Sequence, residues 1–385
     1  MKSWQSYLII LLVFALAVPH ALAQGTPPFD VDAAAAVLLD YDSGQILYSK
    51  NGNTERIPAS LVKVMTMFVA LDQISQGRAS LSDTTRVSEN AWRMTGSQMF
   101  LEVGETVTLE QLLYGIAVVS GNDACVALAE ALAGSADVYV QWMNTKAREL
   151  GLNMTFVDVH GLSEDNRVTA TDMALLARAY IRAYPDALKY HAERSFSYQP
   201  RSQKQPIVQY NRNGLLGSFD GADGLKTGHL SAAGYNLVAT AKQGERRLIA
   251  VVLGGSSERG REAVARELLN YGFRSFDVVD TRKLTTGTTV KVFKGKQRSV
   301  GVVAQEPLVT IPQGTGTALE VSVQLKNMSA PVSKGENVGM LTIWYEGEVL
   351  KQTPLLAVED VPVGGFWRVF WDSTVLFFRN LIRRP

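Results

Sequence analysis

The sequence contains a single cysteine, Cys125, among its 385 residues. One cysteine cannot form a disulfide within the chain, so the stability of the fold has to come from a packed core, which a chain of this length can build. Cys125 lies in the apolar segment ACVALAEALAG. A small, buried and unreactive thiol is therefore expected there, and a catalytic cysteine is not.

Histidine and excess charge are also scarce. Only His160, His191 and His229 follow residue 23, and the chain has no Gly-x-Ser-x-Gly segment, which argues against a Ser-His-Asp hydrolase. The His, Asp and Glu residues lack the spacing of a metal site, so we expect neither a metal nor another cofactor. The net charge is +1, which gives no support to nucleic-acid binding.

The longest uninterrupted apolar run, residues 7–18, lies close to the N-terminus and follows Lys2. Ala21-Leu22-Ala23 then has the small-x-small pattern of a cleavage site. These features predict a secretory signal peptide over residues 1–23, with Gln24 as the first mature residue. A transmembrane anchor is the alternative, but it needs about 20 apolar residues.

Residues 24–275 alternate strand and helix signals. A strand pair in 35–50 precedes several helical segments, a second strand pair in AGYNLVATAKQGERRLIAVVLGG and a last helix at about 260–271 that ends at Gly272. Thr108 and Gln111 have the spacing of a helix capping box. This order predicts an α/β (α+β) domain with a largely antiparallel sheet.

Residues 276–361 have a different composition. Short β-rich segments, separated by turn residues, read TVKVF, SVGVVA, LVTI, ALEVSVQL, VGMLTIWY and LLAV. This pattern is typical of a small all-β sandwich or barrel. No paired carboxylates, metal cluster or phosphate loop occurs there, so we interpret it as a structural or interaction module.

Residues 362–385 predict an amphipathic helix. Its apolar side carries Phe366, Trp367, Phe370, Trp371, Phe377, Phe378, Leu381 and Ile382. Its polar side carries Arg368, Asp372, Arg379 and Arg383, with Val369 and Leu376 as exceptions. Aromatic residues opposite arginines are typical of a helix lying in a membrane surface. A helix docked onto the protein's own core is the alternative.

The segment PASLVKVMT places Ser60 and Lys63 three positions apart at a predicted helix start. That spacing puts both side chains on one helix face. Burial would lower the pKa of the lysine, so that its amine could accept the serine proton. Taken alone the pattern is weak, because an N-cap serine is common.

Two further segments strengthen this interpretation. Ser120-Gly121-Asn122 lies at a predicted helix end, and Lys226-Thr227-Gly228 precedes a β-rich segment, so that it should start or lie on an edge strand. Ser-x-x-Lys, Ser-Asp-Asn and Lys-Thr-Gly are the joint signature of penicillin-binding proteins and class A β-lactamases. Here all three occur in that order, with Ser-Gly-Asn in the middle.

From about residue 30 onward the chain resembles the low-molecular-mass penicillin-binding proteins of the D-alanyl-D-alanine carboxypeptidase type (the penicillin-binding protein 5/6 type). The segments that carry the resemblance are PASLVKVMT, SGNDACVALAE, HGL, NRNGLL, DGLKTGH and AGYNLVATA. The resemblance implies a β-lactamase/transpeptidase-like fold with a helical subdomain. It also implies a peptidoglycan stem peptide ending in D-Ala-D-Ala as substrate, and acylation by β-lactam antibiotics.

The resemblance implies catalytic roles for four side chains. Ser60 attacks the carbonyl of the penultimate D-alanine, and Lys63 takes its proton. Ser120 and Asn122 relay the proton and hold the substrate's backbone amide. The backbone N–H groups of Ser60 and His229 form the oxyanion hole.

The resemblance also implies a substrate-binding side. Its residues are Lys226, Thr227, Gly228, His229 and Arg261, with the first two at the substrate's terminal carboxylate. His160 and Arg212 fall in family-like segments without assigned roles. Four of the residues also have a structural alternative: Ser120 as a simple helix stop, Lys226 as a solvated strand lysine, His160 as a hydrogen-bonded loop histidine, and Arg261 as a residue that caps or pairs on its helix.

Other functions remain open at this stage. A class A β-lactamase needs a deacylating glutamate, and Glu164 in GLSEDN is the nearest acidic candidate. A transpeptidase differs only in using an amine as acyl acceptor. A non-catalytic cell-wall scaffold would not need all three motifs. The resemblance favours an exported carboxypeptidase at the periplasmic face of the bacterial cytoplasmic membrane, acting in cell-wall biosynthesis and cell shape.

Overall fold

The computed structural model describes residues 29–382, except the side chains of Leu284, Thr317 and residues 380–382. The predicted signal peptide and its cleavage site lie outside the described residues. The chain divides into two compact units. In the described range, the first unit contains residues 29–281 and Leu308–Thr317, and the second contains Arg282–Pro307 and 318–382.

The elements are numbered along the chain. The strands are β1 (Ala33–Asp40), β2 (Ile46–Lys50), β3 (Thr84–Arg86), β4 (Thr106–Thr108), β5 (Ser195–Tyr198), β6 (Ile207–Tyr210), β7 (Ala222–Leu230), β8 (Gly234–Gln243), β9 (Arg246–Gly255), β10 (Phe276–Asp280), β11 (Thr289–Phe293), β12 (Ser299–Ala304), β13 (Leu308–Pro312), β14 (Leu319–Leu325), β15 (Met328–Ser329), β16 (Asn337–Tyr345) and β17 (Glu348–Ala357). The helices are α1 (Val62–Ser75), α2 (Glu89–Trp92), α3 (Leu109–Ala117), α4 (Asn122–Ala133), α5 (Ala136–Glu149), α6 (Ala170–Ala183), α7 (Leu188–Ala192), α8 (Glu258–Ser275), α9 (Arg282–Thr285) and α10 (Phe366–Ile382). Short 3-10 turns span Ala59–Leu61, Pro185–Ala187 and Gly316–Ala318.

The first unit is built on a five-stranded sheet in the order β2-β1-β9-β8-β7, with every neighbouring pair antiparallel. The sheet buries both faces. On β1, Val37 and Leu39 join a core formed with most of the helices, whereas Ala36 and Leu38 join a second core formed with α8. Because successive strand residues point to opposite faces, two cores require an unbroken apolar strand. The predicted α/β (α+β) class with an antiparallel sheet is confirmed.

Helices α1 and α3 of this unit follow their sequence signals closely. α1 is buried at every position from Val62 to Asp72, so it is the central helix of the larger core. α3 begins with the predicted capping box: the Gln111 backbone N–H donates to Thr108 Oγ1 at 3.2 Å, and Thr108 N–H donates to Gln111 Oε1 at 3.0 Å. The two reciprocal bonds fix the start of that helix.

The predicted end of α8 at Gly272 is wrong, because the helix continues to Ser275. A β-carbon at Gly272 would lie 2.5 Å from Leu248 Cδ1 and 2.8 Å from Leu38 Cδ2. The glycine therefore permits close packing of the helix on the sheet, rather than ending the helix. The helix also starts earlier than predicted, at Glu258, because the Ser257 hydroxyl accepts the Gly260 N–H at 2.9 Å.

The LVTI segment was predicted to belong to the all-β module, but it lies in the first unit. As β13 it pairs antiparallel with β10, and both strands belong to the first unit. Thr310 at its centre is held by Ser43, with the two hydroxyls 2.6 Å apart, and by Gln45, whose amide accepts Thr310 N–H and donates to Thr310 O. These contacts span more than 260 residues, so local sequence could not indicate them.

The second unit contains a six-stranded sheet in the order β14-β16-β17-β12-β11-β15. Its pairs are antiparallel apart from β11 with β15. The β-rich segments of this unit that the sequence predicted all form strands. The all-β character of the module is therefore confirmed.

Helix α10 belongs to the second unit and presents its aromatic residues outward. Phe366, Trp367 and Trp371 are 74%, 70% and 62% exposed. The first turns of the polar side face the second unit: Asp372 is buried, accepts the Lys294 N–H at 2.5 Å and lies 3.1 Å from Arg368 Nε, whereas Arg379 is exposed. No described helix has the length and apolarity that a membrane crossing requires.

Candidate active site

Ser60 lies in the 3-10 turn that leads directly into α1, beside edge strand β7. A β-carbon at Gly228 would lie 2.9 Å from Pro58 O and 3.1 Å from Ser60 N. Only glycine allows the strand to approach this turn so closely. The predicted placement of Lys-Thr-Gly on an edge strand is confirmed, and the strand passes the backbone of Ser60.

Asn236 on β8 fixes the segment before Ser60. Its Nδ2 donates to Ile57 O at 3.0 Å and Pro58 O at 3.1 Å, while its Oδ1 accepts Gly254 N–H at 2.8 Å. The residue is fully buried, so each of these bonds is protected from water. Sequence reasoning used AGYNLVATA as a strand and as part of the family resemblance, and it assigned no role to this residue. The available signal was a lone amide at the start of an apolar run.

Lys63 on α1 is fully buried and lies among three oxygen atoms. Its Nζ is 2.9 Å from Ser60 Oγ, 2.8 Å from Asn122 Oδ1 and 2.6 Å from His160 O. Burial lowers the pKa of the Lys63 ammonium below its ordinary value. A neutral amine has two N–H groups, which the two carbonyl oxygens can occupy. Its lone pair then faces the Ser60 hydroxyl, which is the arrangement of a base beside a nucleophile.

The Ser120-Gly121-Asn122 segment forms the turn before α4. Ser120 has a left-handed backbone (φ +62°) and a buried Oγ without a hydrogen-bond partner among the described residues. Such strain and an unpaired buried hydroxyl are typical of functional sites. The Asn122 amide is fixed at both ends, because Nδ2 donates to Thr95 O at 2.6 Å and Oδ1 faces Lys63. One N–H of that amide remains for a ligand.

The loop containing His160 is organised by Asp158, which sequence reasoning also missed. The Asp158 carboxylate accepts the backbone N–H groups of His160, Gly161 and Ser163 at 3.0, 2.5 and 2.7 Å. Gly161 has φ +87°, and a β-carbon there would lie 2.0 Å from Ala59 O. Together these features hold the loop against the Ser60 turn. An Asp two positions before His-Gly was the signal, since short acidic side chains bond nearby backbone N–H groups.

His160 contributes its backbone carbonyl to Lys63, whereas its ring stays within the loop. Nδ1 accepts the Leu162 N–H at 3.2 Å and lies 3.4 Å from Asp158 Oδ1. Burial lowers the pKa of the imidazole, which favours its neutral form. The ring geometry matches the alternative of a hydrogen-bonded loop histidine.

Positively charged side chains converge on the other side of the site. Lys226 is buried, and burial together with the charges of Lys63 and Arg212 holds its pKa well below the ordinary value. The Arg212 guanidinium is exposed and donates to Ser97 Oγ at 3.1 Å. Within the described residues, neither Lys226 nor Arg212 pairs with a carboxylate. A bound anion would find uncompensated charge here.

Arg261, on α8, lies behind this cluster and is 2% exposed. Its guanidinium donates weakly to Gly228 O at 3.4 Å and to Arg212 O at 3.3 Å. It lies 3.9 Å from Glu258. The residue therefore supports the Lys-Thr-Gly strand and the Arg212 backbone from within. His229 is exposed at the end of the same strand, where its ring stacks on Tyr235 with the ring centroids 4.1 Å apart.

Cys125, in contrast, is fully buried, and burial raises the pKa of its thiol to about 12. A thiol that stays protonated is a poor nucleophile. The prediction of a buried cysteine is confirmed.

The fold and the motifs are those of a serine peptidase of the penicillin-binding class. Residues 21–257 match the family model described as D-alanyl-D-alanine carboxypeptidase, and residues 280–363 match the one described as penicillin-binding protein 5, C-terminal domain. The chain belongs to this D-alanyl-D-alanine carboxypeptidase family, as the sequence predicted, and it is an enzyme of that family.

Individual relatives match along nearly the whole chain. D-alanyl-D-alanine carboxypeptidase DacC of Escherichia coli is 40% identical over 91% of this chain and 89% of its own length. DacF of Bacillus subtilis is 38% identical over 93% of both chains. Among solved structures, penicillin binding protein 5 from Haemophilus influenzae is 36% identical with a TM-score of 0.79, covering 88% of this chain and 100% of that one.

Proposed function

We propose that this protein removes the terminal D-alanine from peptidoglycan stem peptides ending in D-Ala-D-Ala, through an acyl-enzyme on Ser60. The observation that carries the proposal is the buried amine of Lys63, 2.9 Å from Ser60 Oγ and with both its N–H groups matched by carbonyl oxygens. An amine held in this way can take the serine proton as the oxygen attacks.

The proposed reaction has two steps. Ser60 Oγ bonds to the carbonyl carbon of the penultimate D-alanine while its proton passes to Lys63 Nζ. The negative oxygen of the tetrahedral intermediate is stabilised by the N–H groups of Ser60 and His229. The amide bond then breaks, and the proton returns to the leaving amine of D-alanine through Lys63 and Ser120. Water subsequently hydrolyses the ester and restores the Ser60 hydroxyl.

The cluster of Lys226 and Arg212 supplies the proposed recognition of the terminal carboxylate, with Thr227 beside it and Arg261 behind. An anion next to Lys226 favours its protonated form. Substrate binding would thus restore the charge that burial disfavours. A peptide ending in an amide lacks that anion, so we propose that the site selects free C-terminal carboxylates.

Penicillins, which also carry a carboxylate beside a reactive carbonyl, would acylate the same serine. The rival β-lactamase function needs rapid deacylation, driven in class A enzymes by a glutamate. Glu164 is exposed, and Arg167 binds its backbone carbonyl. The group of this loop that contacts Lys63 is the His160 backbone carbonyl, and not the Glu164 carboxylate. A penicillin adduct that is hydrolysed slowly is therefore the better-supported outcome.

Measurement of D-alanine release and penicillin turnover on one sample tests this proposal. We expect multiple turnovers of a D-Ala-D-Ala peptide, and one penicillin bound per protein with little turnover. Rapid penicillin hydrolysis without D-alanine release would establish a β-lactamase instead. Release of D-alanine that requires an added amine would identify a transpeptidase. If neither D-alanine release nor penicillin turnover occurs and no penicillin binds, the protein would be a non-catalytic scaffold.

We further propose that α10 holds the mature enzyme on the periplasmic face of the bacterial cytoplasmic membrane, where it would act in cell-wall biosynthesis and cell shape. The exposed aromatic side chains and the inward-facing Asp372 support an interfacial helix.

Removal of the residues after Val361 is expected to release the enzyme from membranes without loss of D-alanine release. Sedimentation with phosphatidylethanolamine/phosphatidylglycerol vesicles measures binding. In the full chain, Trp367→Ser and Trp371→Ser should each weaken binding roughly tenfold or more, since an indole loses its buried apolar area. Thr374→Ser, on the same helix, serves as the control. If the truncated protein still pellets with vesicles, the anchor is elsewhere.

A further inference from the structure

A cavity of about 440 Å³ lies in the first unit, at the end of the sheet where β7 turns into β8. Three charged side chains line it, those of Glu55, Arg56 and Arg167. Small residues of β1, β8, β9 and the turn before β8 line it as well: Ala34, Ala232, Ala233, Gly234 and Gly254. The cavity therefore combines open space with more positive than negative side chains.

The segments that line this cavity are the same segments that meet at the nucleophile. Arg56 lies four residues before Ser60, and the turn residues directly follow β7. Arg167 lies in the loop that follows His160. Arg56 and Val168 exchange both backbone hydrogen bonds, at 2.8 and 3.0 Å. The backbone thus holds the two arginines in fixed positions close to the active site.

Both arginines have hydrogen-bond donors to spare. The Arg56 side chain makes no hydrogen bond or ion pair within the described part of the chain, and its Nε is buried. Arg167 Nη1 donates to the carbonyls of Glu164 and Asn166, which leaves Nη2 available. Glu55 is exposed and forms no ion pair with either arginine among the described residues. A guanidinium matches a carboxylate in shape and charge, so an acidic group fits this cavity.

The direction of a bound peptide follows from the proposed function, on which this inference rests. Lys226 would hold the C-terminal carboxylate, and the N–H of His229 would hold the oxygen of the scissile carbonyl. The N-terminal part of the peptide then continues past the end of β7, towards the turn at Ala232. His229 and Ala232 are three residues apart, at most about 10 Å. In an extended peptide, a glutamate directly before D-Ala-D-Ala places its carboxylate roughly 10 Å from the scissile carbonyl.

From these observations we propose that the cavity is a specificity subsite for an acidic residue directly before D-Ala-D-Ala, whose carboxylate binds Arg56 and Arg167. Glu55 weakens this preference, because its charge opposes that of the ligand. The two arginines contact no reacting atom. Their contribution is to substrate selection, measured as kcat/KM for acidic relative to neutral peptides.

D-alanine release from N-acetyl-L-Glu-D-Ala-D-Ala and N-acetyl-L-Gln-D-Ala-D-Ala tests the subsite, because the two peptides have nearly the same shape and differ in charge. At low ionic strength, kcat/KM of the wild-type enzyme should be about three- to tenfold higher for the glutamate peptide. Arg56→Gln and Arg167→Gln should each reduce this ratio to less than about twofold. Glu55→Gln should raise it above the wild-type value, since an opposing charge is removed. A general loss of activity or folding lowers both rates and leaves the ratio unchanged.

Arg78→Gln is the matched control, because it removes the same charge from an exposed turn after α1. It should keep the wild-type ratio, and a ratio that falls as far in Arg78→Gln as in Arg56→Gln would overturn the subsite. Equal rates for the two peptides in the wild-type enzyme would also overturn it, although D-alanine release would still support the carboxypeptidase. If the enzyme releases D-alanine from neither peptide, the proposed function fails, and the subsite fails with it.

Discussion

Replacement of Ser60 by alanine is expected to abolish both D-alanine release and penicillin binding. In a serine enzyme with a paired base, loss of the nucleophile typically costs about 10⁴-fold or more in turnover. Two other groups are poor substitutes for it: Cys125 keeps its proton, and Ser120 Oγ makes no hydrogen bond to a base among the described residues. The expected result is therefore a complete loss of the penicillin adduct, read by intact mass.

The substitution removes one oxygen from a half-buried turn, so the fold should persist. Thermal unfolding of Ser60→Ala checks this. Ser82→Ala, on an exposed loop, is the matched control and should keep full activity and a stoichiometric adduct. An adduct that survives in Ser60→Ala would refute the assignment of the nucleophile. Loss of the adduct together with loss of folding would call for Ser60→Gly before any conclusion.

The motif residues could be predicted because each carries a local structural signal. Ser60 and Lys63 share a helix face through their spacing, and Lys-Thr-Gly precedes a strand pair that fixes it on the sheet edge. The capping box of α3 was readable for the same reason. Where neighbours in sequence are also neighbours in space, residue spacing is sufficient.

The groups that support the motifs could not be predicted in the same way. Asn236 reaches the carbonyls before Ser60 across about 180 residues, and one of the oxygens that Lys63 contacts, that of His160, belongs to the backbone. Sequence patterns describe side chains, whereas carbonyl acceptors are set by the path of the backbone. The place of β13 in the first unit could not be predicted for a similar reason. Its contacts there include hydrogen bonds to the side chains of Ser43 and Gln45, which are distant from β13 in the sequence.

The convergence of positive charge was only partly predictable. Arg212 carried no assigned role in the sequence, yet its charge acts on the pKa of Lys63, Lys226 and Arg261 alike. Each of these residues comes from a different segment of the chain. A net charge of +1 over the whole sequence conceals a local concentration of cations.

Replacement of Lys63 by methionine is expected to slow acylation of Ser60 by about 10²–10⁴-fold, the usual contribution of a general base. Methionine fills much of the same buried space, so packing in the core is largely kept. Asn122 Oδ1 and His160 O lose a donor, at a cost of about 1–3 kcal/mol each in the free energy of unfolding. Penicillin acylation, followed by stopped-flow or intact mass, measures the chemical step directly.

The pH dependence of the wild-type enzyme provides a readout that altered packing alone would not produce. Only the neutral amine accepts a proton, and burial lowers the pKa of Lys63 below its ordinary value of 10.5. Acylation should therefore be fast above the Lys63 pKa and fall about tenfold per pH unit below it. In Lys63→Met this acid limb should vanish while a slow, flat rate remains. A variant that acylates within tenfold of wild type, or that retains the same acid limb, would assign the base to another group. The two carbonyl oxygens leave the lone pair of the Lys63 amine facing Ser60, so we expect the base to be Lys63.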